Sequence, residues 1–181
     1  MKIRHEIGAL FMDLQDKLIA NVHNPEELID SNGAWLNICK LLGINCVITE
    51  QVPSKLGPSC QNLKQLAEGF PVIDKDTFSA FGSQEFAEIV RKKNISHLVI
   101  TGVETAICVY LTALEALSKK LEVTVLSDCV SGRRRSDSEV ALTDLSRLGV
   151  SVLPMETFIY SLLESARHDQ FKAVSALIKN R

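Results

Sequence analysis

Residues 97–128 read HLVITGVETAICVYLTALEALSKKLEVTVLSD, and this stretch decides the fold class. Leu98–Thr101 and Val123–Leu126 are short apolar runs bounded by polar or turn residues, the pattern of strands buried on both faces. Between them Thr105–Lys120 has the length and period of a helix. It is apolar on nearly all sides from Ala106 to Leu117, which predicts burial. Strand, helix and strand in this order make a βαβ unit, with a right-handed crossover and parallel strands.

The same alternation extends in both directions. Strand-like runs recur at Ile7–Met12, Cys46–Thr49, Val72–Ile73 and Val150–Leu153. Helical patterns fill the intervals. Pro25–Leu42 opens with Asn24 as N-cap and Pro25 in the first turn, and stops on Gly43. Ser83–Lys93, Ser136–Leu148 and Met155–Glu164 follow, and His168–Lys179 carries Phe171, Val174, Leu177 and Ile178 on one side. The expectation is one domain over residues 1–181, a three-layer α/β/α fold around a doubly wound, mainly parallel six-stranded sheet of Rossmann-like order. Gln51–Ala67, with Pro53, Gly57 and Pro58, is the least regular part and is expected to be an active-site loop.

Composition narrows the function. The formal net charge of -2 offers no broad basic surface, so nucleic acid is not expected as a partner. No window approaches the roughly 18 apolar residues that span a bilayer. MKIRHEIGALFMDLQD has no signal-peptide cleavage site. The five cysteines are odd in number, widely spaced and free of any Cys-x-x-Cys pair. That pattern fits a reducing, cytoplasmic setting and a soluble protein with no membrane partner.

In doubly wound sheets, ligands bind beyond the carboxyl ends of the strands. Asp13 ends the first predicted strand, Lys75 follows the third, and Cys108 lies in the first turn of the helix after the fourth. A carboxylate, an ammonium and a thiol at one edge are the parts of an activated-thiolate site. The helix N-terminus and a nearby Lys75 are expected to depress the Cys108 pKa, leaving Asp13 to shuttle the proton. Backbone N–H groups between Gly102 and Cys108 are candidates for stabilising an oxyanion. Each residue also has a plain alternative: a buried structural thiol, a turn aspartate, and a surface lysine paired with Asp74 or Asp76.

Three segments carry a resemblance. FMDLQD at 11–16, KDTFSAF at 75–81 and TGVETAICVYLTALEAL at 101–117 resemble the isochorismatase-like cysteine hydrolases in order, spacing and placement, over about Ile7 to Phe158. The resemblance implies that Asp13, Lys75 and Cys108 form a catalytic triad, and that the Val103–Glu104 peptide is cis, with the backbone N–H groups of Glu104 and Cys108 as oxyanion donors. It makes Gln15, Gln51, Phe78 and Phe81 candidates for the substrate pocket. TEQVPSKLGP at 49–58 is similar to the isochorismatase-domain-containing branch. Nicotinamidase-type members carry an Asp-x-His…His metal site after the second strand, whereas positions 50–61 hold no Asp or His here. No metal and no cofactor are therefore expected. Ala106 stands where relatives often have a polar residue.

The chemistry implied is hydrolysis of a small amide or related carbonyl substrate through a Cys108 thioester. The alternative is a catalytically silent binding or scaffold protein that uses an oligomeric surface, with Trp35 and the final helix available to it. A dinucleotide binder is disfavoured because no Gly-x-Gly-x-x-Gly follows a strand. A papain-like pair is unsupported by the scattered His5, His23, His97 and His168. Relatives commonly form closed oligomers, and the apolar side of the last helix predicts a homo-oligomer.

Overall fold

The computed structural model describes residues 6–179. Six parallel strands, β1 (Ile7–Met12), β2 (Asn45–Gln51), β3 (Val72–Lys75), β4 (His97–Val103), β5 (Glu122–Ser131) and β6 (Ser151–Leu153), form one sheet in the order β3-β2-β1-β4-β5-β6. Parallel strands need crossovers, and these run on two faces. One face carries the short α1 (Asp16–Ile19), α2 (Pro25–Leu42) and α4 (Gln61–Leu66), together with α8 (Met155–Leu163) and α9 (Phe171–Lys179). The other carries α5 (Gln84–Lys92), α6 (Tyr110–Ser118) and α7 (Arg135–Arg147). The short α3 (Pro53–Leu56) lies in the loop after β2.

Strand alternation sorts the core between the faces. In β1, Ile7, Ala9 and Phe11 pack under α2, whereas Leu10 and Met12 pack under the α5–α6 layer. The chain reverses its direction of travel across the sheet between β1 and β4, so the crevice beyond their carboxyl ends is the topological switch point. Gly102, with φ +100°, is needed at that edge, because a Cβ there would lie 2.1 Å from the Met12 carbonyl oxygen.

Several sequence expectations require correction. Gln51–Ala67 is not simply an irregular loop. It forms α3 and α4, and Leu63 and Ala67 join the core under α2, on the face away from Cys108. The helix after β4 begins as a π-turn (Thr105–Val109) before α6, and it is not buried all round. Cys108, Val109, Thr112, Ala113 and Ala116 face inward, but Ala106 and Leu111 are exposed. Only one side of it meets the sheet and the neighbouring helices, which is all that a surface layer can cover. The last helix is not a free apolar face either, since its Val174 and Ile178 are buried in the core around α2. Asn24 does not cap α2 through its side chain, which accepts the Ser131 hydroxyl instead.

Candidate active site

Asp13 continues β1 by one hydrogen bond, its N–H reaching the Thr49 carbonyl at 3.0 Å, and then turns the chain with φ +52°. Its carboxylate is shut off from solvent. Oδ1 accepts the Thr49 hydroxyl at 2.8 Å, and Oδ2 accepts the Lys75 ammonium at 2.7 Å. The Cys108 thiol donates a further hydrogen bond to the same carboxylate. The Lys75 Nζ stands 3.9 Å from the Cys108 sulfur. The three side chains therefore meet in one crevice, delivered by β1, β3 and the turn after β4.

An ammonium has three protons to give. Lys75 gives them to Asp13 Oδ2, to Gln51 Oε1 and to the Thr77 carbonyl at 3.2 Å. Its contact with the sulfur is thus electrostatic. Burial pushes the Asp13 carboxyl above its ordinary value, against the Lys75 charge and the hydrogen bonds it receives. Burial also pushes the Cys108 thiol up to about 12, and the Asp13 charge adds to the effect, with Lys75 and a backbone hydrogen bond from Glu104 opposing it. The expectation of a depressed thiol pKa is thereby overturned. At 7% exposure, desolvation and a neighbouring carboxylate outweigh one ammonium and one backbone N–H.

The Val103–Glu104 peptide is cis. The Glu104 backbone N–H is aimed at the Cys108 sulfur, and the Glu104 carboxylate pairs with Arg133 Nε at 3.0 Å. The other expected pocket residues divide. Gln51 is in the site through Lys75, and its Nε2 donates to the Asp76 carbonyl at 3.1 Å. Gln15 is fully buried and faces the chain rather than a pocket. Its Oε1 accepts the Gln51 N–H at 2.7 Å, and its Nε2 donates to the carbonyls of Gln51 and Gly57 at 3.0 and 2.5 Å. With its amide spent on the backbone after β2, it cannot also hold a substrate.

Phe81 is core, stacked edge to face on Phe86 at 4.9 Å and covered by Lys119, so it is not a pocket wall. Phe78 is 58% exposed and lines none of the clefts found among the described residues. Among the described residues, no three His, Cys, Asp or Glu side chains are grouped to hold a metal ion, and no helix is long and apolar enough to cross a membrane. His5 lies outside the described residues. Sequence reasoning missed Thr49 and the Thr77 carbonyl. Strand parity signals Thr49, since it shares the β2 face with Gln51 and pairs in register with Met12.

A parallel sheet of this order, with a thiol, a carboxylate and an ammonium at its switch point, defines an α/β protein of the isochorismatase-like class. The isochorismatase domain model matches residues 9–157, and the chain belongs to that family. It is 30% identical over 179 residues to mouse isochorismatase domain-containing protein 2A, covering 98% of this chain and 85% of the relative. A solved structure described as the MAR1 ribonuclease of Caenorhabditis elegans superposes with a TM-score of 0.90 at 30% identity, covering 98% of this chain and 92% of that one. The Escherichia coli ycaC gene product, described as an octameric hydrolase of unknown specificity, superposes with a TM-score of 0.92 at 21% identity, covering 99% and 89%. Membership of the family supports a hydrolase-type activity.

Proposed function

We propose that this single-domain protein is a cysteine-dependent hydrolase acting on a small amide or related carbonyl compound through a Cys108 thioester. The observation that carries the reading is that one buried carboxylate, Asp13, holds both the Lys75 ammonium and the Cys108 thiol. A thiol pushed up to about 12 rests protonated, so its proton must leave as the sulfur attacks. Asp13 is the base placed to take it, and its raised pKa suits that task. Lys75 keeps Asp13 ionised between turnovers.

As the sulfur–carbon bond forms, the carbonyl oxygen gains charge near the Glu104 backbone N–H, with the Cys108 N–H as the second donor. Collapse breaks the bond to the leaving amine, which takes the proton from Asp13. Water, deprotonated by the same carboxylate, then attacks the thioester carbonyl; the carbon–sulfur bond breaks, the acid is released, and the Cys108 sulfur takes the proton back from Asp13. No step calls on a metal or cofactor.

The test is acyl transfer from p-nitrophenyl acetate. Acid quenching and peptide mass spectrometry are expected to find acetyl on Cys108 and on none of the other four cysteines, and none in Asp13→Asn or Cys108→Ser. Acetylation elsewhere, or a Cys108→Ala protein that still hydrolyses the ester, would make the chain a binding protein that retains the fold.

A further inference from the structure

On the face of the sheet opposite Cys108, a cleft of about 920 Å3 opens between α4, α2 and β2. Its floor is made by Phe11, Leu14, Leu36, Ile48 and Leu63, none more than 5% exposed, and Glu50 stands among them at 8%. Glu50 precedes Gln51 in β2, so alternation sends the two side chains to opposite faces. The carboxylate is used on one side only. Its Oε1 accepts the Ser59 N–H and hydroxyl at 2.6 and 2.8 Å. Its Oε2 has no partner among the described residues, nor is it one of the polar atoms sealed away from solvent.

Glu50 Oε2 is thus left without a protein donor among the described residues, and a ligand in the cleft that Glu50 lines can supply a charged N–H to it. No lysine or arginine among the described residues pairs with it. The charged groups at the walls are Asp16, Glu50 and Glu68 against a single Lys64. The volume lies in the range of small-molecule sites, which are mostly apolar with a few placed polar groups.

We propose that this cleft is a second, non-catalytic site that binds a primary organic ammonium with an apolar tail, its N–H groups on Glu50 Oε2 and its tail against Leu36, Ile48 and Leu63. Charge and shape both select this class. An inorganic cation would leave the apolar walls wet, and an anion would meet three carboxylates.

The experiment is a titration of the full chain with phenethylammonium chloride, followed by amide chemical shifts, beside 2-phenylethanol as the neutral probe of the same shape. Saturable shifts at Ser59, Leu63 and Phe70 are expected, with the alcohol about tenfold weaker or worse, as for loss of a charge-assisted hydrogen bond. Glu50→Gln removes the charge and is expected to weaken the amine by a similar factor. Ser59→Ala keeps the carboxylate and is expected to retain binding, which separates ligand recognition from the Glu50–Ser59 staple. Equal binding of amine and alcohol, undiminished binding in Glu50→Gln, shifts confined to other surfaces, or concentration-dependent burial of the cleft by a second copy would each overturn the proposal.

Discussion

Gln51 accepts a proton of the Lys75 ammonium, while its own N–H and carbonyl are both held by the side chain of Gln15. A buried amide thus fixes the backbone that fixes the lysine that faces Asp13. Gln51→Leu is expected to free one ammonium proton and slow acyl transfer to Cys108 by roughly 10- to 100-fold, the usual scale for a supporting hydrogen bond. Gln51→Glu, which keeps an acceptor, is expected to lose less. Equal rates in wild type and Gln51→Leu would remove Gln51 from the site.

Alkylation of Cys108 tests its electrostatics. With its thiol at about 12 against an ordinary 9.0, the thiolate is scarce at pH 8. Iodoacetamide is expected to label it on the order of a hundred- to a thousandfold more slowly than the unfolded chain. Asp13→Asn removes an anion that raises the thiol pKa while Lys75 stays, so labelling is expected to quicken as acyl transfer is lost. Slower labelling in Asp13→Asn would contradict the assigned cause.

The same shift predicts a stability profile. Between pH 9 and 12 the unfolded chain releases the Cys108 proton and the native chain keeps it, so unfolding free energy is expected to fall as pH rises, by about 1.4 kcal/mol per unit. Cys39, also raised by burial, adds in the same direction. Urea unfolding of wild type and Cys108→Ala across this range isolates the Cys108 part. Parallel profiles for the two proteins would refute it.

Breaking the buried ion pair is expected to cost the fold as well as the chemistry. Lys75→Met leaves the Asp13 carboxylate buried without its cation, and about 3–5 kcal/mol of stability is expected to go. Asp13→Asn with Lys75→Met is expected to recover part of that loss, as a double-mutant cycle in chemical denaturation will report.

Assembly is expected through the outer side of α6 and α7, where Leu111 and Val140 are 39% and 70% exposed. Leu111→Glu with Val140→Glu is expected to shift the protein to monomers in sedimentation with little change in unfolding. A wild-type monomer at micromolar concentration would dispose of the idea.

The sequence by itself determined the layer architecture and the edge at which the site lies. Both rest on local patterns: the apolar runs of Ile7–Met12 and Leu98–Thr101 are too short for buried helices and are bounded by polar or turn residues, as buried strands are, and Pro25–Leu42 carries its own start and stop. Placing Asp13, Lys75 and Cys108 at strand ends needed nothing beyond that order and the resemblance of three motifs. Only the tertiary structure decided what those groups experience. The Cys108 pKa depends on burial and on how close the Asp13 carboxylate comes, and both are set by β1, β3 and β4 packing together. Gln15 faces the β2 end rather than the pocket because the positive φ of Asp13 ends strand alternation and turns its amide toward Gln51. Phe81 and Phe78 share a motif, yet one is core and the other exposed, because only Phe81 has Phe86 of α5 beside it. Periodicity reports a side chain's neighbours along its own element, whereas burial, charge and pocket walls come from elements far apart in the chain.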